Sequence, residues 1–414
     1  LAYSYFNEYY KVNNIIYQNQ IHIKEVWFMK RKLKMGMIGG GPGAFIGEVH
    51  RKAARMDGKI ETVAGVFSSN PEKSRFMGEE LGLDPARVYS DYKEMIAKEK
   101  ALPAEERIDI VSIVTPNNWH YAPAKDFLEA GFNVMCEKPM TMTVEEAEGL
   151  EKAVKESGKT FGLMHTYSGY PMVKLAKDLV KQGEIGKVRK VVVRYSQGWL
   201  AKAIEKEGQT QASWRTDPKQ SGAAGCVGDI GTHAANLAEY ITDSKITDIC
   251  ADLTSYVEGR LLDDDGNSLI KMENGIKGIL YCSQIAVGEE NGLRIWIYGT
   301  EGGLEWYQEH PNQLLVKRID KATEVWSRGN QYVNDRSEAA ARNSRVPAGH
   351  PEGYLEAFAN HYANFADTIL AKEAGETPEA VMLDFPNVAD GVHGMRFIEK
   401  FVESAKSGQK WTKL

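Results

Sequence analysis

MGMIGGGPGAFIG, residues 35–47, passes from an apolar run through a glycine-rich turn into a helical pattern that continues to HRKAARM, residues 50–56. The apolar run reads as a strand. Gly39 and Gly41 supply a tight turn and let the backbone approach a pyrophosphate, with Pro42, Gly43, Ala44, Phe45 and Ile46 completing the cofactor-facing segment. The helix start then offers free N–H groups and the positive end of its dipole. Glycine-rich turns have many uses, and it is the strand before and the helix after that give this one meaning.

Working outward, TVAGVF (62–67), IDIVSIVT (108–115) and NVMCE (133–137) read as further strands. Helical patterns lie between them. Asn70–Pro71 marks one helix start, Gly131 closes another, and Thr143 with Glu146 forms a capping-box signature. This alternation predicts an α/β fold, a doubly wound parallel Rossmann sheet over residues 34–160.

From Phe161 the rhythm changes. Segments 187–199, 246–257, 276–287 and 293–300 read as long strands joined by turns, and two helices close the chain. A second α/β domain over residues 161–414 is expected, built on a large, mostly antiparallel open sheet that binds substrate and mediates oligomerisation. Residues 1–33 are set apart as a leader. The first 28 lack the charged start and apolar middle of a signal peptide, and Met29 reads as a start just ahead of the first strand.

The chain has 414 residues, 43% hydrophobic and 26% charged, with a net charge of −6. That balance argues against nucleic acid or an anionic membrane as partner. The four cysteines show no metal or disulfide spacing, and His350 and His361 do not form an HExxH pattern, so no metal is expected. A cytoplasmic homo-oligomer is the expectation.

The acid usual at the end of the second strand of such a fold is missing. Ser68 and Ser69 stand there and can bond a ribose hydroxyl, while Lys73 and Arg75 lie near enough in sequence to meet a 2′-phosphate. NAD is preferred and NADP stays open.

VMCEKPMTMT (134–143) fixes Lys138 where a strand must end, because Pro139 has no N–H. With TPNNWH (115–120) and GDIGTHAANLAEY (228–240), behind the glycine turn, this pattern resembles the Gfo/Idh/MocA oxidoreductases. The resemblance implies a nicotinamide enzyme that oxidises or reduces a sugar or cyclitol carbon. It places Thr115, Pro116, Asn117, His120, Glu137 and Lys138 beside the cofactor and makes Lys138, Asp229 and His233 the catalytic set. Imidazole suits the proton step, so His233 is the chosen base. Lys138 polarises the oxygen or shares the proton role, and Asp229 either holds the imidazole or bonds a substrate hydroxyl.

Tyr167, Tyr170, Arg215 and His350 are candidate sugar contacts, and Asp217 and Glu352 beside them are further candidates. Details such as WRTDP and PAGHPEGYLEAFAN look similar to a branch that oxidises glucosides at C3, including aromatic C-glucosides such as puerarin. That likeness implies a C-glycoside-cleaving lyase as functional partner. A free-sugar or inositol dehydrogenase, an NAD-dependent glycosidase of the same fold, and a non-enzymatic dinucleotide sensor are the alternatives.

Overall fold

A computed structural model describes residues 31–414. The expectation for residues 1–28 lies outside that range. Two sheets organise the chain.

The first sheet has five parallel strands in the order β2-β1-β3-β4-β5: β1 (Leu33–Gly39), β2 (Ile60–Val66), β3 (Ile110–Val114), β4 (Asn133–Glu137) and β5 (Phe161–Met164). The helices between them are α1 (Phe45–Met56), α2 (Pro71–Glu80), α3 (Tyr92–Ala101), α4 (Tyr121–Glu129) and α5 (Val144–Ser157). β3, β4 and β5 are buried at every residue, as their unbroken apolar runs require of strands covered on both faces. Asn70 caps α2 by accepting from Glu72 N and Lys73 N, and Thr143 caps α5 by accepting from Glu146 N. The sheet extends one strand past residue 160, because β5 pairs with β4.

After α6 (Pro171–Lys181) comes the second sheet, nine strands in the order β13-β12-β11-β10-β6-β9-β8-β7-β14. Its strands are β6 (Lys190–Ser196), β7 (Ile246–Thr254), β8 (Asp265–Met272), β9 (Lys277–Ser283), β10 (Gly292–Tyr298), β11 (Gly302–Tyr307), β12 (Gln313–Arg318), β13 (Glu324–Ser327) and β14 (Thr412–Lys413). All neighbours run antiparallel except β6 and β9, which are parallel. Between β6 and β7 the chain forms α7 (Thr210–Arg215), a π-helical turn (Val227–Gly231) and α8 (Thr232–Thr242).

The closing helices are α9 (Tyr354–Glu373) and α10 (Val388–Lys406). Although late in the sequence, α9 packs on the first sheet's α1. His50 of α1 meets Phe358 and Tyr362 edge-on, and Lys59 Nζ reaches Asp367 at 2.5 Å. The return of α9 locks the two halves around the carboxyl ends of β1, β3 and β4.

Candidate active site

A cleft of about 1610 Å³ runs from the glycine-rich turn to the inner face of the second sheet. That exceeds the roughly 300–1,000 Å³ of a usual single-ligand pocket.

At one end, Gly39, Gly41, Pro42, Ala44, Phe45 and Ile46 line the wall. Gly39 holds φ +88°, and a Cβ there would sit 3.0 Å from the Val114 carbonyl. A Cβ on Gly41 would lie 2.5 Å from the Phe67 carbonyl oxygen. Only glycine leaves this cradle open ahead of the α1 N-terminus, so the residues fit a dinucleotide pyrophosphate. Ser68, Ser69 and Lys73 line the neighbouring wall, followed by Thr115, Pro116, Asn117, Glu137 and Lys138.

Lys138 stands one residue past β4, before a cis peptide to Pro139. Its Nζ donates to the Asp229 carbonyl at 2.7 Å and to Asp229 Oδ1 at 2.8 Å. The other carboxylate oxygen, Oδ2, accepts from Arg215 Nε (3.1 Å) and Gln284 Nε2 (2.8 Å). Burial would raise the Asp229 carboxyl, but Lys138 and Arg215 overcome it and hold the group well below the usual carboxylate range. Asp229 is a fixed anion, and an ammonium with three donors keeps one for a ligand.

His233 lines the same cleft from the start of α8. Its ring is boxed edge-on by Tyr167 (4.8 Å between centroids) and His165 (5.3 Å), and its Nδ1 is buried with no partner among the described residues. Burial first, and then the charge of Lys138, push its pKa well below 6.5, so the imidazole is neutral at neutral pH. Asp229 does not orient it by a hydrogen bond. That expected role is corrected: the carboxylate is spent on Lys138, Arg215 and Gln284.

Glu137 is anchored from behind by a residue that sequence reasoning missed. His50 Nε2 lies 2.7 Å from Glu137 Oε1, and its Nδ1 lies 2.7 Å from the Tyr362 hydroxyl. Glu137 Oε2 accepts from the Lys138 backbone N–H at 3.1 Å. A buried chain thus runs from α9 through α1 to the lysine. The only sequence signal was a histidine on the apolar side of α1.

Tyr167 and Arg215 line the cleft, and burial pushes the Tyr167 phenol up to about 12. Several expected contacts do not reach it. His120 is fully buried, with ring nitrogens 2.8 Å from the Pro139 carbonyl and 2.9 Å from the Thr115 carbonyl. It braces the two cleft loops from below. Tyr170 stacks behind Tyr167 and accepts from Gln308. Gly43 and Arg75 are exposed and off the lining.

His350 is exposed on the turn before α9, with Nδ1 against the Pro347 carbonyl. Glu352 is buried in a salt bridge with Arg328, and Asp217 caps a short helix. Other lining residues not singled out from sequence are Tyr195, Gln197 and Trp199, alternate positions at and beyond the end of β6, and Trp119, Trp214 and Asn291. Among the described residues, no cluster of three or more His, Cys, Asp or Glu could hold a metal, and no helix is long and apolar enough to cross a membrane.

Two family profiles match the chain. One, "Oxidoreductase family, NAD-binding Rossmann fold", covers residues 33–165, and the other, "GFO/IDH/MocA C-terminal domain", covers residues 173–305. YfiI of Bacillus subtilis (strain 168), described as an uncharacterized oxidoreductase, is 33% identical over 386 residues, 92% of this chain and 97% of its own. A levoglucosan dehydrogenase of Pseudarthrobacter phenanthrenivorans is 27% identical over 316 residues, 69% of this chain and 76% of its own. A solved structure of an inositol dehydrogenase homolog from Azotobacter vinelandii, complexed with NADH and myo-inositol, superposes with a TM-score of 0.85. It is 33% identical and the match covers 93% of this chain and 98% of that one. The chain belongs to the Gfo/Idh/MocA family and is an NAD(P)-dependent oxidoreductase.

Proposed function

We propose that the protein oxidises a secondary hydroxyl of a sugar or glucoside, at C3, to a ketone with NAD. The observation that carries the reading is the Lys138–Asp229 pair beside a neutral His233 in one cleft with the glycine cradle. NAD bound along that cradle supplies the hydride acceptor. The carbon gives up its C–H electron pair and the hydroxyl its proton, so the products are ketone, reduced cofactor and a proton. His233, neutral and lining the cleft, takes the hydroxyl proton. Lys138, fixed in place by Asp229, donates its remaining N–H to the same oxygen and steadies the forming negative charge. Serines in place of the ribose-binding acid leave room for NADP, and Lys73 on the lining is the residue that would meet its phosphate.

The C3 assignment rests on the WRTDP and PAGHPEGYLEAFAN likeness. A C3 ketone acidifies the neighbouring C2 hydrogen, which would let a C-glycoside-cleaving lyase eliminate the substituent in a following step. Leu269, Ile279 and Tyr298 are exposed on the second sheet, which supports a homo-oligomer, to be checked by light scattering. A free-sugar or inositol dehydrogenase is the second reading, favoured by the relative that holds myo-inositol with NADH. The Lys–Asp–His set argues against a sensor.

The deciding experiment is mass spectrometry after incubation with NAD and a panel of C- and O-glucosides, free sugars and inositols. A glucoside product two mass units lighter, with NADH formed, supports the proposal. Conversion of inositol or free sugar alone selects the second reading. Released aglycone with unchanged NAD points to a glycosidase, and cofactor binding without any turnover would return the sensor to the front.

A further inference from the structure

Between β6 and the Asp229 turn, the chain forms no strand and runs over the cleft in short helical pieces that include α7. A long excursion of this kind beside a site is a usual place for specificity. Trp199 and Trp214 lie on it, neither fully buried, and both line the cleft.

Each indole has its N–H spent on a glutamine. Trp199 Nε1 donates to Gln197 Oε1 at 3.0 Å, and Trp214 Nε1 to Gln211 Oε1 at 3.3 Å. Gln197 is itself held by Asn291 Oδ1 at 2.9 Å. Rings fixed in this way offer a ligand their faces rather than a hydrogen bond, with little ordering left to lose.

Arg215 connects them to the chemistry. Its guanidinium carbon lies 4.2 Å from the Trp214 ring centroid and 5.8 Å from that of Trp199. Its Nε holds the same Asp229 carboxylate that fixes Lys138. Two locked indoles therefore stand one guanidinium away from the reaction centre. Surface of this kind suits a second ring joined to a sugar over Lys138.

We infer that Trp199, Trp214 and Arg215 form a subsite for a ring substituent on the anomeric carbon, aromatic or pyranose, so that the enzyme takes glycosides in preference to free sugars. This rests on the sugar dehydrogenase reading.

The test is NADH formation with glucose, methyl β-glucoside, phenyl β-glucoside and cellobiose, in the wild type and in Trp199→Ala, Trp214→Ala and Trp214→Phe. One packed aromatic contact predicts a kcat/KM preference of about tenfold for a ring-bearing glucoside over the methyl glucoside. Phenyl glucoside against cellobiose tells an aromatic occupant from a sugar. The preference should fall toward unity in each alanine variant and return in Trp214→Phe.

Turnover without a ring preference, or a preference untouched by both alanine variants, overturns the subsite and leaves the dehydrogenase standing. If no compound reduces NAD, the dehydrogenase reading fails instead. Calorimetric titration of phenyl glucoside into the protein with NADH then decides the subsite. Binding that Trp214→Ala weakens about tenfold keeps it, and absence of binding removes it.

Discussion

Lys138 and Lys174 each place Nζ against both the carbonyl oxygen and the carboxylate of a single aspartate, Asp229 in one case and Asp384 in the other. Each also has a buried histidine in its field: His233 beside Lys138, and His361 beside Lys174. The surroundings differ. Asp229 is shared with Arg215 and Gln284, and its lysine opens on the cleft. Asp384 takes the Tyr240 hydroxyl at 2.8 and 2.9 Å, and the Lys174 side chain has no exposed surface. Burial would raise the Asp384 carboxyl, yet Lys174 and Lys177 bring it down to about 2. One motif opens on a cleft that a ligand can enter, and it is the one we propose as the reagent. The other is a strut tying α6 and α8 to the loop between α9 and α10.

Removing each lysine should separate the two roles. Lys138→Met should lower turnover by about a hundred- to ten-thousandfold, in the range of a lost proton-transfer or oxyanion partner, while NAD still binds. Steady-state kinetics with a calorimetric NAD titration check this, and His233→Ala should fall in the same range. Turnover near wild type in both would undo the site assignment.

Lys174→Met should instead cost about 3 kcal/mol of stability, because it leaves a carboxylate largely shut from water. Turnover per folded molecule should stay at the wild-type level. The double variant with Asp384→Asn should recover part of the loss. Denaturant unfolding gives the numbers, and a Lys174→Met protein that is stable but inactive would erase the contrast.

The sequence distinguishes these lysines only in part. Lys138 was legible because strand end, proline and the linked TPNNWH and GDIGTH motifs frame it. Lys174 sits in MVKLAKDLV, where a charge on an amphipathic helix reads as a solvated face. Its partner lies 210 residues away, and nothing local announces it.

The same reason explains the other misses. His50 looked like one more residue of α1, although α9 returns to bury it against Glu137. His120 belongs to the motif but turns inward to the loop carbonyls, while His350 turns out to solvent. Side-chain direction in turns is set by distant packing, whereas the β-branched runs and caps that specified the first sheet act locally.

A substitution that spares both pairs sharpens the comparison. Gly41→Val drives a Cβ to 2.5 Å from the Phe67 carbonyl oxygen, so the turn that forms the cradle must shift. NAD affinity should drop at least about tenfold, the loss expected when roughly 1.4 kcal/mol of binding is removed. Both lysine–aspartate pairs should keep their stability contributions. Normal NAD binding in this variant would remove the turn from the cofactor site.

The smallest effect concerns the two histidines, and it asks whether the lysines act on them alike. His233 lies well below 6.5, and His361 lies at about 3, each through burial first and its neighbouring lysine second. A depressed histidine is neutral in the fold. Below about pH 6.5 the unfolded chain therefore binds a proton that the folded chain refuses, and stability falls as the pH drops. In imidazole NMR titrations neither ring should protonate between pH 8 and 6. Lys138→Met should raise the His233 midpoint and leave His361 in place, and Lys174→Met should do the reverse. Because burial is the larger cause in both, neither midpoint should return fully to 6.5. A wild-type His233 that already titrates near 6.5 would show that its field is not set by Lys138, and the neutral-base role would lose its electrostatic ground.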